Sequence, residues 1–319
     1  MCRRLTISGL LALLLIVQLR QVAAQTEPPI PGFQDPSRFR LAVNEVSLTF
    51  HAADAHGLPI NDLKLDEFKL LDNGKPPRRI IDFHLMQDFP IRAGILMDTS
   101  ESMEQQVPRN REISIEYAQR VLRQQTDQAF VMDFGFISKI TQNWTGNPTA
   151  LTAGIHQVVA GRENPLGGTS LFDAIFRVCL YQFGKIDHAA SGNFVLLFSD
   201  GEDNSSHVSL EEAVDQCQRS NTAIYAFRAE PDEKLFSSGP KTLAELASQT
   251  GGRVFAHTDA EDESDADLRI IEADLRNQYR LVYNPAEIKP DGSFHRIALK
   301  GSERVDSITV RSGYYAPSQ

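Results

Sequence analysis

The sequence predicts an α/β protein: a doubly wound, mostly parallel, Rossmann-like sheet inserted in a small β-sandwich built from both flanks. Three observations lead there. From Ile91 to Asn277, short apolar runs alternate with segments of helical spacing, the grammar of a parallel sheet with helices on both faces. Before and after it, over 39–88 and 278–315, the pattern changes to period-two alternation broken by turn residues, which reads as antiparallel strands. Each flank, at roughly 40–50 residues, is too small to close a core alone, so the two are expected to pair.

Taken in order, the chain opens on an address. Arg3 and Arg4 precede an apolar run from Leu5 to Val17, and Val22-Ala23-Ala24 follows. This is the layout of a secretory signal peptide over 1–24, with cleavage expected before Gln25. The run is shorter than the roughly 20 residues needed to span a bilayer. Cys2 lies before the apolar region, which argues against a lipoprotein. The mature protein is therefore expected to be secreted or periplasmic. Residues 25–38 carry Pro28, Pro29, Pro31 and Pro36 and read as a linker.

The first flank alternates through Leu41, Val43, Val46, Leu48 and Phe50. Asp54 to Gly57 and Asp72-Asn73-Gly74 supply turns, and Phe68–Leu71 and Arg79–Phe83 read as further strands. The region 89–277 then reads as a domain of its own. Its expected strands are Ala93–Met97, Phe130–Phe134, Asn193–Phe198, Thr222–Phe227 and Val254–Ala256. Its expected helices are Ile113–Leu122, Leu171–Phe183, Leu210–Cys217, Leu243–Ser248 and Asp267–Asn277, the fourth stopped by Gly251-Gly252. The last flank offers strands at Gln278–Tyr283, His295–Leu299 and Ser307–Arg311, with a turn at Asp291-Gly292.

Composition excludes several classes. With 41% hydrophobic residues and ordinary aromatic content the chain is not disordered. Net charge is −10, and without the first 24 residues 29 basic face 42 acidic residues, or −13. Such a surface repels phosphate backbones, so nucleic acid is not an expected partner. Without Cys2, two cysteines remain, Cys179 and Cys217, enough for one disulfide in an oxidising compartment. Both fall in expected helices, where thiols also pack unpaired, so the sequence leaves both states open. The eight histidines show no metal-ligand spacing.

The chemistry gathers at strand ends. Asp98-Thr99-Ser100-Glu101-Ser102 closes the first α/β strand, and alternate residues of an extended loop point one way. That places one carboxylate and two hydroxyls at the carboxyl edge of the sheet, where open α/β sheets bind ligands. Asp200 closes the most apolar strand and Gly201 follows it, while Gly167-Gly168-Thr169 opens a helix with a further hydroxyl. Asp98, Ser100, Ser102, Thr169 and Asp200 make an all-oxygen set suited to Mg2+ or Mn2+, with Ca2+ as a further candidate. An octahedral ion would keep a position for an incoming carboxylate.

These three pieces, in this order, resemble the metal-ion-dependent adhesion site of von Willebrand factor type A domains, over about residues 90–277. The resemblance implies that the same five residues hold the metal, some of them through water. It also implies metal-dependent protein binding, often through an acidic residue of the partner. The flanking Asp66-Glu67-Phe68, Asp72-Asn73-Gly74, Tyr279 to Pro285 and Val310 to Pro317 resemble the exported von Willebrand factor A-related proteins of acidobacteria.

The expected function is thus a secreted binding module that engages an acidic residue of a partner protein, not an enzyme. A metal-dependent hydrolase such as a phosphatase is the alternative, with Asp98 as nucleophile. Against it, Ser100 stands where that pattern expects a second acid, and no GxSxG, P-loop or GxGxxG occurs. A structural assembly role without metal is the third reading. Glu101 and Asp203 read as a solvated face, Asp133 as structural, and the acid-rich 258–267 as a solvated loop feeding a helix. Asn143-Trp144-Thr145 and Asn204-Ser205-Ser206 match glycosylation acceptors, and Trp144 has no assigned role.

Overall fold

A computed structural model describes residues 45–86, 89–123, 125–161, 167–186, 192–228, 237–256 and 261–316, with the backbone alone at 256 and 261–265. The leader, the linker and the expected strand residues 39–44 lie outside the described residues. The first flank supplies β1 (Val46–Ala53), β2 (Phe68–Asp72) and β3 (Arg79–Met86).

The chain then enters the α/β part through β4 (Ile91–Asp98), helix α1 (Val107–Arg120), β5 (Gln128–Phe134), β6 (Ser138–Thr145) and α2 (Pro148–His156). Next come α3 (Leu171–Arg177), which runs on as a π-helical turn through Phe183, then β7 (Gly192–Ser199) and α4 (Leu210–Arg219). The part closes with β8 (Thr222–Arg228), α5 (Gly239–Thr250), β9 (Val254–Ala256) and α6 (Glu261–Arg276). The sheet order is β6-β5-β4-β7-β8-β9. All its pairings are parallel except β5 with β6.

The apolar runs are continuous because both faces of this sheet are covered. Alternate residues of β4 point to opposite faces. Ile91, Ala93, Ile95 and Met97 join one core with Tyr117 of α1, Leu151 of α2 and Ile271 of α6. Leu96 joins the other with Phe130, Leu171, Val214 and Leu246 beneath α3, α4 and α5. This is the doubly wound arrangement that the alternation predicts.

The chain returns to its flank as β10 (Gln278–Asn284), β11 (Phe294–Gly301), β12 (Ser307–Val310) and β13 (Gly313–Tyr315). One sheet has the order β12-β1-β10-β3 and the other β13-β11-β2, so each mixes strands from both flanks. Phe50, Leu48, Leu70, Leu281, Tyr283 and Ile297 fill the core between them. Asp72 is buried there and accepts from the hydroxyls of Tyr283 and Tyr314 at 2.8 Å, with His295 Nδ1 at the same distance. A buried carboxylate needs such partners to stay folded.

Polar ties join the sandwich to the α/β part. Arg311 donates to Gln218 O at the end of α4 (2.8 Å) and to Ser47 O of β1 (2.9 Å). Arg253 donates to Asp274 of α6 at 3.0 Å, and His51 of β1 lies 3.4 Å from the same carboxylate. Burial, seconded by the charge of Arg253, pushes the His51 imidazole down to about 3.

Several elements differ from the sequence expectation. Strand β6, helix α2 and strand β13 were not anticipated, α1 begins at Val107, and α6 begins at Glu261. Trp144 of β6 packs edge-on against Phe130 (4.7 Å) and Phe183 (5.5 Å) and donates to Gln182 at 2.9 Å. The open question of the cysteines closes in favour of a Cys179–Cys217 disulfide, which ties the π-helical turn to α4.

Candidate metal centre

Strand β4 delivers Asp98 fully buried at its last residue. The loop beyond it is pinned to the end of β5, because Thr99 N donates to Phe134 O at 2.7 Å. A single 3-10 turn, Glu101–Met103, follows, with Met103 buried as its anchor. This turn brings the Ser100 and Ser102 hydroxyl oxygens to 3.2 Å from each other.

The two acids meet across neighbouring parallel strands. Asp98 Oδ1 accepts from Ser100 N (2.9 Å), and Oδ2 accepts from the Ser199 hydroxyl at the end of β7 (2.8 Å). Asp200 Oδ2 accepts from the Ser102 hydroxyl at 2.8 Å, and its Oδ1 from Glu202 N at 3.0 Å. Asp98, Ser100, Ser102 and Asp200 thus form one hydrogen-bonded chain. Gly201 turns the backbone away at φ +82°, and a Cβ there would meet Gly239 O at 2.3 Å, so only glycine fits.

Thr169 is placed by its backbone. Its N–H donates to Asn204 Oδ1 (2.8 Å), and its carbonyl accepts from Asn204 N and Ser205 N (3.1 Å each). The loop after Asp200 therefore carries the threonine loop. Gly168, at φ +111°, makes this approach: a Cβ would meet Ser205 Oγ at 2.3 Å.

Burial pushes the Asp98 carboxyl up to about 6, against the bonds from Ser100 and Ser199, and the neighbouring Asp200 charge adds to the rise. Among the described residues no Lys, Arg or His pairs with either carboxylate. Nor does any cluster of three His, Cys, Asp or Glu suited to a metal occur among them. The site offers two carboxylates and hydroxyl oxygens, a hard donor set whose charge no cation among the described residues answers. That fits a small divalent cation.

Sequence reasoning missed three supporting residues. Ser199 carries no signal of its own in the sequence, yet it is fully buried and holds Asp98. Asn204, read as a glycosylation acceptor, spends its side-chain oxygen on Thr169. Glu202 accepts from Ser237 (2.6 Å), Ser238 (3.0 Å) and Gly239 N (2.9 Å), fastening the start of α5 beside the site. Asp203 corrects another expectation: it is half-buried and accepts from Phe172 N and the Ser206 hydroxyl, at the start of α3. Glu101 is exposed, as expected. The acidic side chains at 258–265 lie outside the described ones.

Residues 94–202 match the family model of the von Willebrand factor type A domain. No curated protein matches the chain. Among solved structures, the chain is similar to a conserved hypothetical protein, BatB, from Bacteroides thetaiotaomicron: 13% identity, 57% of this chain and 97% of that one, TM-score 0.45. It is also similar to proximal thread matrix protein 1 of the mussel byssus, with a zinc-occupied MIDAS motif: 13% identity, 64% and 50% coverage, TM-score 0.48.

Proposed function

We propose that the protein is an exported, divalent-metal-dependent protein-binding module that engages an acidic residue of a partner protein. Mg2+ is the ion the donor set suits best, with Mn2+ and Ca2+ as further candidates. The observation that carries the reading is the pair of buried carboxylates, Asp98 and Asp200, joined through Ser100 and Ser102 and paired with no cation among the described residues. The type A domain match over 94–202 supports it, since that family often mediates metal-dependent protein interactions.

Asp98, Ser100, Ser102, Thr169 and Asp200 would hold the metal, which when bound supplies positive charge and a coordination position open to a carboxylate. Asp98 and Asp200 supply the neutralising charge. Ser199 and the Ser100 amide hold Asp98 in place, while Ser102 orients Asp200. Asn204 fixes the height of Thr169 over the sheet edge. We read this as binding rather than turnover, because Ser100 stands where a phosphatase would place its second acid. The flanking motifs support the narrower likeness to exported von Willebrand factor A-related proteins.

Calorimetry with Mg2+ and Mn2+ tests the site: one ion is expected to bind, and Asp98→Ala to bind none with circular dichroism unchanged. Equal binding by both proteins would place the ion elsewhere. Turnover of a generic phosphate ester that is lost in Asp98→Ala would favour the hydrolase.

A further inference from the structure

A groove of about 250 Å³ opens directly beside the metal centre, and Ser100 belongs to both. One wall is the hairpin tip between β5 and β6, where Phe136 and Ile137 stand 43% and 62% exposed. Gln157 and Val159, just beyond α2, and Glu101, next to Ser100, also line it. Phe136 and Ile137 are adjacent, exposed and border the groove, so a partner that covered them would remove apolar surface from water.

We propose that this groove takes a large apolar side chain of the partner protein, set within two residues of the acidic residue that reaches the metal centre. The proposal rests on the metal-dependent reading above. Size and chemistry choose this occupant. Pockets for drug-sized ligands run to about 300–1,000 Å³, so this one is smaller than those yet roomy enough for a large side chain. Phe136, Ile137 and Val159 offer it an apolar surface. Charge at the groove is mixed: Asp133 and Lys139 stand opposite one another in the β5–β6 ladder, and both line it. A second acid would meet Glu101 and Asp133, and a base would meet Lys139. Because Ser100 is shared, an acid at the site leaves its near neighbours in an extended segment over the groove, at about 3.3 Å per residue.

The test uses a phage-displayed library of nine-residue peptides with one fixed Asp, selected on the full chain in Mg2+ and eluted with chelator. Bound peptides are expected to be enriched in Leu, Ile, Met, Phe or Trp within two positions of the Asp. A synthetic peptide from the selection should bind about 10-fold more tightly than its apolar→Ser version. Phe136→Ser with Ile137→Ser should bind the two peptides equally, while calorimetry shows its Mg2+ binding unchanged. Enrichment of Asp peptides without an apolar neighbour, a preference for a basic neighbour, or an undiminished preference in the double variant would overturn the groove. Failure of wild type to retain any Asp peptide in a Mg2+-dependent way would overturn the metal reading itself.

Discussion

At the scale of single residues, Asp98 holds opposing demands. Its folded value of about 6 lies above the ordinary 3.8 because burial disfavours the charged form. Between those values the metal-free folded protein keeps a proton that the unfolded chain has released, so stability falls as pH rises through this window. Above it, the protein carries the full cost of the buried charge. Asp98→Asn keeps the shape and can still accept from Ser100 N. It is therefore expected to stabilise the metal-free protein at pH 7.5, by on the order of 1–3 kcal/mol. That gain should vanish near pH 4, and the Mg2+-induced rise in Tm should be lost. Thermal unfolding at both pH values, with Mg2+ and with chelator, checks all three. The grouping of Asp98, Ser100 and Ser102 was legible because their spacing is local. Ser199 and Asn204 were not, because their bonds join residues 101 and 35 positions away.

At the scale of elements, the parallel strands announced themselves because both faces are buried and their runs are unbroken. Strand β6 did not. Its Ser138-to-Thr145 run is polar and only partly buried, as suits an antiparallel edge. Helix α2 carried a signal that went unread: Asn147 caps it by accepting from Thr149 N at 2.9 Å, Pro148 sits in its first turn, and Leu151 and Ile155 repeat at four. The disulfide was beyond sequence reach because helix packing decides whether two thiols meet. It closes a separation of 38 residues and brings the two Cα atoms to 5.0 Å. Chain-entropy arithmetic gives such a link about 4 kcal/mol. Reduction, or Cys179→Ala with Cys217→Ala, is expected to lower the unfolding free energy by an amount of that order, read as a fall in the urea midpoint at unchanged m. A midpoint unmoved by reductant would show that the bridge contributes nothing.

At the scale of the whole molecule, alternation predicted both architectures, and the smallness of each flank predicted that they would share sheets. What joins the sandwich to the α/β part was not legible, because His51, Arg253, Asp274 and Arg311 come from four distant segments. His51 makes this junction acid-sensitive. The folded protein keeps it neutral down to about 3, whereas the unfolded chain protonates it below 6.5, so stability is lost as pH falls through that interval. Asp274, pushed up to about 6 by burial against the pull of Arg253, acts in the opposite sense. Its contribution remains when His51 is replaced. Between pH 7 and pH 5, His51→Gln should therefore lose about 2 kcal/mol less stability than wild type. Urea unfolding of the two proteins at both pH values reads the difference, and parallel losses would exclude His51 as the cause.

The shared sheets also set an order of assembly. Leu63 N bonds the hydroxyl of Tyr279, 216 positions later, and β1 finds β10 and β12 only after everything between has been made. A loop of that length is costly to close as a coil and slow to search. Once the α/β part has folded, β4 and α6 are already neighbours in one core, and the loop is replaced by a compact body whose ends lie together. The α/β part is thus the natural nucleus and the sandwich the last step. Until that step β1, β2 and β3 are strands without partners, an aggregation hazard. Refolding followed by hydrogen exchange should show amides of β4 and β7 protected before those of β1.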